Sequence, residues 1–416
     1  MKGKRILKMP LTQCLIASLI LSSFAMFASA SAGKPPPPTD RPINMHLSWD
    51  RSDTAHTIVI SWQTTGNIAS EVQHDTVSHG GTPGAYAYSA TGSAHGWPTS
   101  KNPSGYVHDV LLTGLTPDTV YYYICGSASP SGGYSAEYGF RTAPTGTTAS
   151  FSFVAGGDSR TDQTNRELVS KAMALKSPSF ILHVGDYMSS DLARLYYEWM
   201  SDVNNNWITP ENLRIPLWGT IGNHESAGNC IRGQYAWPPG PSNNERWYSV
   251  DYGDLIHIIC LSDSYDTVDT QTAWLQSDLQ ANQNKPWKFA FFHEPAYVSG
   301  STDTNRTDVI QAWCPLFEQY GVNIVFAGDC HLYQRTYPFM GSPNAYIVSN
   351  PADGTNYVVC AGWGAPLYTG IPQPWIAYTE SVYHYCLIQI NGATSLTLTM
   401  YDQSNVAHDS LTITKT

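Results

Sequence analysis

Five segments between residues 157 and 331 place side chains of metal-binding type directly after apolar runs. They are Gly157-Asp158-Ser159-Arg160, Gly185-Asp186, Gly222-Asn223-His224-Glu225, Phe292-His293 and Gly328-Asp329-Cys330-His331. A single Gly-Asp pair is weak evidence, because aspartate is common in turns. Five such segments in order, all carrying carboxylate, amide or imidazole groups, predict one shared metal centre whose ions would activate water for hydrolysis.

The elements that must position these side chains are strands of an α/β sheet. From residue 150 to 416, apolar strand-like runs alternate with helix-like segments, which predicts a sheet covered by helices. Ligands bind at the carboxyl ends of strands in such sheets, and each segment follows a strand, so all five can converge there. The predicted strands cover 151–155, 180–184, 215–221, 255–261, 288–292, 323–327, 357–361 and 385–390, the predicted helices cover 168–175 and 192–200, and 395–414 reads as a final antiparallel pair.

Residues 43–143 have a different pattern of short alternating runs separated by Gly, Ser, Pro and Asn. About 100 residues of short strands predict a β-sandwich. The stretch 115–121 resembles the strand-entry turn of fibronectin type III domains, with Trp62 in the place of their core tryptophan. This part of the chain carries no cluster of catalytic side chains.

The N terminus predicts export. Four basic residues precede an apolar run at 15–27, and Ala28-Ser29-Ala30 offers a cleavage site, so residues 1–30 are expected to be a signal peptide. The run is shorter than the ~20 residues of a membrane-spanning helix, so no membrane anchor is expected after cleavage. Residues 31–42 contain four consecutive prolines and predict an extended linker. The expected location is secreted, periplasmic or at the cell surface.

The composition argues against some classes of binding partner. The 22 Lys and Arg against 33 Asp and Glu give a formal charge of -11, which argues against duplex nucleic acid or an anionic membrane as the main partner. Seven cysteines remain after the signal peptide, and their scattered positions predict at most one or two disulfides. The oligomeric state is left open.

The five segments resemble those of the calcineurin-like metallophosphoesterases, specifically the purple acid phosphatase branch, whose members also carry an N-terminal fibronectin-like domain. The resemblance implies a four-layer α/β/β/α domain with two divalent metal ions. It further implies that Asp158 and His331 bind the first ion, Asp186 bridges both, and Asn223 and His293 bind the second. His224 is similar to the family's proton-donating or phosphate-contacting histidine.

Two departures from the family pattern concern the metals. The tyrosine that binds Fe(III) in that branch is replaced by Ser189, and Tyr187 is out of register, so no Fe(III)-tyrosinate is expected. Asp329 stands where the family has a second-metal histidine. The second ion would then have mostly oxygen ligands, which favours Mn(II), Fe(II) or Mg(II) over zinc. The expected ions are Fe, Mn or Zn, with Mg as an alternative.

A third departure concerns the substrate, which is expected to be a small phosphorylated molecule. The downstream histidines that contact phosphate in the branch are missing, which leaves Arg160, Glu225 or Asn305 for that role. Of these, Arg160 is assigned to catalysis together with His224. Among the remaining side chains, His183 is expected behind the ligands, His257 is expected to be buried and hydrogen-bonded, and Cys330 is expected to point away from its neighbours. Four aromatic residues fit either a substrate cleft or the core: Tyr333, Trp363, Tyr368 and Trp375.

The expected function is therefore a secreted phosphatase that hydrolyses phosphate monoesters by attack of a metal-bound hydroxide. Without Fe(III), the pH optimum is expected nearer neutral or alkaline pH than the name of the branch suggests. The alternatives are a phosphodiesterase or nuclease, and a non-catalytic cell-surface binding protein with a degenerate metal site.

Overall fold

The structure is a computed structural model that describes residues 40–96, 105–128, 132–300 and 305–415. The predicted signal peptide and the linker up to residue 39 lie outside these ranges. Within the described part of the chain, no helix has both the length and the apolar character needed to cross a membrane.

The N-terminal part is built from strands alone. They are β1 (Ile43–Ser48), β2 (Ile58–Thr64), β3 (Glu71–Asp75), β4 (Tyr88–Thr91), β5 (Ser93–Gly96), β6 (Tyr106–Leu112), β7 (Val120–Ser127), β8 (Gly133–Tyr134) and β9 (Tyr138–Arg141). One sheet has the order β1-β2-β6-β5 and the other β4-β3-β7-β8, with β9 paired to β7. Trp62 is fully buried, and the Tyr121 hydroxyl accepts a hydrogen bond from the Thr116 backbone N–H at 2.9 Å. This contact is the tyrosine corner typical of such sandwiches.

The C-terminal part alternates strands and helices. The strands are β10 (Ser150–Gly156), β11 (Ile181–His183), β12 (Leu217–Gly219), β13 (Tyr248–Tyr252), β14 (Ile256–Cys260), β15 (Trp287–Phe291), β16 (Ile324–Ala327), β17 (Tyr333–Thr336), β18 (Phe339–Met340), β19 (Tyr346–Ile347), β20 (Asn356–Cys360), β21 (Ile376–Glu380), β22 (His384–Asn391), β23 (Ser395–Asp402) and β24 (Ala407–Thr414). The helices are α1 (Gln163–Ala174), α2 (Ala193–Asn206), α3 (Asn229–Arg232), α4 (Val268–Ala281), α5 (Thr307–Ala312) and α6 (Cys314–Gln319), with short 3-10 turns at Asn223–Glu225 and Pro351–Asp353.

Thirteen of these strands form two large sheets packed face to face, and β18 and β19 form a separate pair. The first has the order β12-β11-β10-β22-β23-β24 and the second β13-β14-β15-β16-β20-β17-β21. Phe153 of β10 meets Phe289 of β15 edge-on, with ring centroids 5.1 Å apart, in the core between the sheets. Helix α1 packs on β22 and on α2, and helices α4, α5 and α6 share a second apolar core with the outer face of the second sheet. The layers are therefore helix, sheet, sheet, helix, which confirms the predicted fold class.

The parallel strands of each sheet determine where the site lies. β10, β11 and β12 run parallel, as do β14, β15, β16 and β20. β14, β15 and β16 are buried at every position, because parallel strands in the middle of a layered fold are covered on both faces. Their carboxyl ends lie on the same edge of each sheet.

The cysteines contribute to packing. All seven cysteines in the described residues are buried, and no disulfide joins any two of them. Cys330 lies with Val298 and Leu332 in a small apolar cluster, as expected for a side chain that points away from its two polar neighbours. Buried free cysteines of this kind act as small hydrophobic residues.

Candidate metal centre

The five predicted segments converge at the carboxyl ends of five strands. Asp158 follows β10, Asp186 follows β11 and Asn223 follows β12 in the first sheet. His293 follows β15, and the segment with Asp329 and His331 follows β16, in the second sheet. The site therefore lies where the edges of the two sheets meet.

One set of ligand atoms belongs to Asp158, Asp186 and His331. All three side chains are buried, and one ligand atom from each lies within 4.8 Å of the others. His331 Nε2 lies 3.4 Å from Asp158 Oδ1. Two carboxylates and one imidazole at this spacing can hold a divalent cation.

A second set of candidate ligand atoms lies around Asp186 Oδ1. His293 Nε2 lies 3.4 Å from Asp186 Oδ1 and 3.6 Å from Asp329 Oδ1. Asn223 donates its amide N–H to the same oxygen of Asp329 at 2.9 Å. Asp186 is thus common to both sets, which is the position that a bridging carboxylate requires.

Hydrogen bonds orient both imidazoles toward the carboxylates. His293 donates its Nδ1–H to the Val184 carbonyl at 2.8 Å, and His331 donates its Nδ1–H to the Pro366 carbonyl at 2.8 Å. Each ring therefore presents its Nε2 atom to the centre. His293 Nε2 and Asp158 Oδ1 are buried and have no hydrogen-bond partner among the described residues. Because buried polar atoms are almost always paired, these two atoms fit a site that holds metal ions.

The backbone at the centre is strained and closely packed. Asp158, Asp186 and Asp329 all have left-handed backbone conformations, with φ of 57°, 56° and 63°. Such conformations are uncommon for residues with a Cβ and are concentrated at functional sites. A Cβ on Gly222 would lie 2.2 Å from Asp186 Oδ1, and one on Gly328 would lie 2.6 Å from Asp158 Oδ2. Those glycines are needed because the carboxylates approach the backbone.

Glu225 holds two of these strand ends together. Its Oε2 accepts the backbone N–H groups of Asp186 and Gly222, both at 2.8 Å, and its Oε1 accepts that of Met188 at 3.2 Å. The side chain is fully buried, so the suggestion that Glu225 contacts phosphate is wrong. Asn305 is also occupied, since its amide oxygen accepts the Val298 N–H at 2.8 Å.

The negative charges of the carboxylates stabilise positive charge at the centre. Burial lowers the pKa of His293, but the charges of Asp186, Asp158, Asp329 and Asp263 outweigh it and raise that pKa to about 10. Burial also raises the pKa of the Asp158 carboxyl. Without a metal ion, the centre therefore holds a proton on His293 at neutral pH, and a cation must displace that proton to bind.

Metal binding is accordingly expected to strengthen with pH. The proton on His293 stabilises the metal-free fold below pH 6.5, and this stabilisation is lost as the pH rises toward about 10, because the folded-state pKa lies above the unfolded one. Displacing one proton makes the apparent Kd for Mn²⁺ fall by about tenfold per pH unit in that range. Calorimetric titration of Mn²⁺ at several pH values measures this, and a Kd independent of pH would contradict it.

His224 and Arg160 border the centre. His224 donates its Nδ1–H to the Ser189 carbonyl at 3.1 Å, its Nε2 lies 3.8 Å from Asp186 Oδ2, and its side chain is 34% exposed. Arg160 donates to Asp186 Oδ2 at 2.9 Å, and its side chain is 14% exposed. Both groups can therefore meet a molecule that enters from solvent.

Tyr187 lies away from the ligand atoms. Its buried ring stacks on His183 at 4.0 Å, and its hydroxyl packs against Gly219. Ser189, at the family's tyrosine position, is exposed and contributes its backbone carbonyl to His224. The Tyr187 hydroxyl is therefore held against Gly219 and away from the candidate ligands.

Three hydrogen-bonded side chains lie behind Asp158, and no sequence motif predicts their contacts with one another. Ser159 accepts the Trp199 indole N–H at 2.9 Å and lies 3.0 Å from His183 Nε2. Burial lowers the pKa of His183 well below its ordinary value, so the ring is neutral. Trp199 and His183 thereby fix the loop that carries Asp158.

The other candidates are structural. His257 is buried between Asp251 and Asp278, at 2.8 Å from each, as predicted. Of the four aromatic residues, Tyr333 and Trp363 are fully buried and Trp375 packs at the edge of the second core. Tyr368 differs, since its half-buried ring lies 4.2 Å from the ring of His331.

Comparisons with known proteins agree with this architecture. The family model "Purple acid Phosphatase, N-terminal domain" matches residues 42–142, and the "Calcineurin-like phosphoesterase" model matches residues 155–333. All six candidate metal ligands lie within the second match.

Individual relatives have the same arrangement. Acid phosphatase type 7 of Mus musculus is 27% identical over 394 residues, which cover 85% of this chain and 86% of that protein. Purple acid phosphatase 18 of Arabidopsis thaliana is 28% identical over 277 residues, 62% of this chain, and the match spans less than two thirds of that protein, 60%. The solved purple acid phosphatase from yellow lupin (Lupinus luteus) seeds superposes with a TM-score of 0.74 at 20% identity, covering 90% of this chain and 74% of that one. Two matched domains in the expected order, together with these relatives, establish that the chain is a phosphoric ester hydrolase of the calcineurin-like metallophosphoesterase family, in its purple acid phosphatase branch.

Proposed function

We propose that the protein hydrolyses phosphate monoesters at a centre of two divalent metal ions. The observation that supports this most strongly is the position of Asp186, whose carboxylate belongs to two sets of ligand atoms. The first ion would be held by Asp158, Asp186 and His331, and the second by Asp186, Asn223, His293 and Asp329. Such a pair of ions supplies an activated water and neutralises charge on the phosphate oxygens.

The protein's own groups then orient the substrate and move the proton. Arg160 presents a planar guanidinium at the mouth of the centre, a geometry that matches two oxygens of a phosphate. His224 has its ring orientation set by the Ser189 carbonyl, which leaves Nε2 facing the centre. From there, Nε2 can donate a proton to the oxygen of the leaving alcohol.

The ligand types bear on the choice of metal. The second set offers three side chains with oxygen donors and one imidazole, which favours Mn(II), Fe(II) or Mg(II) over zinc. Ser189 stands at the family's tyrosine position and Tyr187 stacks on His183, so the protein should be colourless when loaded with iron.

A substrate panel tests the proposal. Purified protein would be assayed with p-nitrophenyl phosphate and bis(p-nitrophenyl) phosphate across pH, with Mn²⁺, Fe²⁺, Zn²⁺ and Mg²⁺ added in turn. Metal-dependent turnover of the monoester is expected, with an optimum nearer neutral or alkaline pH. Faster turnover of the diester would identify a phosphodiesterase, and an optimum below pH 5 would contradict the metal assignment. No turnover with any ion would favour a non-catalytic binding protein.

The N-terminal sequence adds a location to this proposal. Residues 1–30 have the basic start, apolar run and small-residue end of a signal peptide, so the phosphatase would act outside the cytoplasm. N-terminal sequencing of the exported chain should begin at residue 31, and retention of residues 1–30 would contradict export by cleavage.

A further inference from the structure

The guanidinium of Arg160 contacts two atoms that the first metal ion needs. Its Nε–H donates to Asp186 Oδ2 at 2.9 Å, and its Nη2–H donates to His331 Nε2 at 3.1 Å. Both side chains belong to the first set of ligands. A positively charged side chain therefore lies where a positively charged ion would bind.

His331 cannot serve both partners at once. Its Nδ1 carries a proton that is donated to the Pro366 carbonyl, so Nε2 has a single lone pair. That lone pair accepts either an N–H of Arg160 or a metal ion. We propose that Arg160 and the first metal ion compete for His331 and Asp186, so that the two metal sites fill in sequence and Arg160 becomes available to substrate phosphate only when both are filled. This inference rests on the proposed two-metal centre.

Arg160 is a competitor for the first site because it satisfies that site only in part. Asp158 Oδ1 is buried and has no hydrogen-bond partner among the described residues, although the five-donor guanidinium contacts the other two members of the set, Asp186 and His331. An ion bound to Asp158, Asp186 and His331 would satisfy all three groups. Arg160 therefore weakens binding of the ion to the first site but does not satisfy all three ligands as the ion would.

Arg160 contacts no member of the second set of ligands except the shared Asp186. His293 Nε2 has no hydrogen-bond partner within the described part of the chain, and the only arginine contact to Asp186 is through its other oxygen. The Asn223 amide donates to Asp329, and rotation of that amide is enough to present its oxygen instead. The second site should consequently fill at lower metal concentration.

The exchange needs movement of the side chain alone, because the backbone of the Arg160 loop is held on both sides. The Asp158 carbonyl accepts the Ala365 N–H at 2.8 Å, and the Asp162 N–H donates to the Gly364 carbonyl at 3.2 Å. Thr161, next to Arg160, is held at φ 76°, an unusual conformation for a β-branched residue. The guanidinium reaches solvent with 14% of the side chain exposed, so it can turn outward toward an entering phosphate.

Titration of Mn²⁺ alone into the metal-free protein tests the competition without any assay of activity. The wild type is expected to bind two ions with unequal Kd values. Arg160→Ala should tighten the weaker step by about tenfold or more, because the charged hydrogen bonds no longer have to be broken, and should leave the tighter step unchanged. Arg160→Lys should fall between the two, because an ammonium group lacks the planar fork that spans both atoms. Arg51→Ala, an exposed arginine of the sandwich, controls for the lost charge.

A second measurement checks the release of Arg160 to phosphate. Inorganic phosphate should bind the Mn²⁺-saturated wild type more tightly than saturated Arg160→Ala, and no more tightly than that variant when only one ion is bound. Equal Kd values for Mn²⁺ in the wild type and Arg160→Ala would overturn the competition. Failure of the wild type to bind a second ion under any condition would instead overturn the two-metal centre, so the two failures are distinguishable.

Discussion

Replacing Asp186 by asparagine is expected to lower kcat/KM for a phosphate monoester by about 10³-fold or more. One oxygen of this carboxylate lies 3.4 Å from His293 Nε2 and the other accepts the Arg160 guanidinium at 2.9 Å, so it faces both halves of the centre. The asparagine amide has the same shape as the aspartate carboxylate but no charge. It also presents an N–H group where one of the two ions needs a lone pair. Two ions could no longer be held close together.

The measurement combines turnover of p-nitrophenyl phosphate with metal content after dialysis. Asp186→Asn should retain fewer ions than the wild type, and Asp269→Asn, an exposed aspartate at the start of α4, should match the wild type in both measurements. Thermal unfolding verifies that both variants fold. A variant with two bound ions and a tenth of wild-type activity would show that Asp186 does not bridge them.

Replacing His224 by asparagine is expected to have an effect that depends on the leaving group. A positioned proton donor contributes about 10²- to 10⁴-fold, and its contribution is greatest when the leaving oxygen is basic. Hydrolysis of an alkyl phosphate should therefore fall by an amount in that range. Hydrolysis of p-nitrophenyl phosphate should fall much less, because nitrophenolate leaves without a proton.

Rates for a series of phosphate esters with leaving groups of increasing pKa test this role. His56→Asn is the matched control, since His56 is an exposed histidine of the sandwich. Metal content should be unchanged in both variants. If His224→Asn loses the same factor for every ester, His224 binds phosphate and does not donate the proton.

The candidate metal ligands could be located from the sequence because each follows a run of buried strand residues. The strand predicted at 180–184 is β11 in the structure and covers Ile181–His183. The strand predicted at 323–327 is β16 and covers Ile324–Ala327. Errors of one or two residues leave a ligand such as Asp186 at the end of its strand. The resemblance to a family then supplied the layer order, which the alternation of elements alone does not determine.

Other features depend on tertiary contacts that local sequence does not encode. Helix α4 was not predicted, because its buried face includes Gln271 between the apolar positions Val268 and Leu275. That glutamine bonds the backbone of Ser262, which explains a polar residue in the core. Glu225 was named as a candidate for contacting phosphate for a related reason. A carboxylate next to a candidate metal ligand in the sequence resembles a catalytic group until its three backbone partners are known.

The division of the ligands between the sheets has a consequence for assembly. Asp158, Asp186 and Asn223 come from the first sheet, and His293, Asp329 and His331 come from the second. Neither sheet alone carries a complete set of ligands for the proposed two ions, so bound metal would act as a cross-link between the two halves of the domain. Tight retention of both ions would then be a signature of correct docking of the sheets, and a chain that folds one half first would bind them only in its last step.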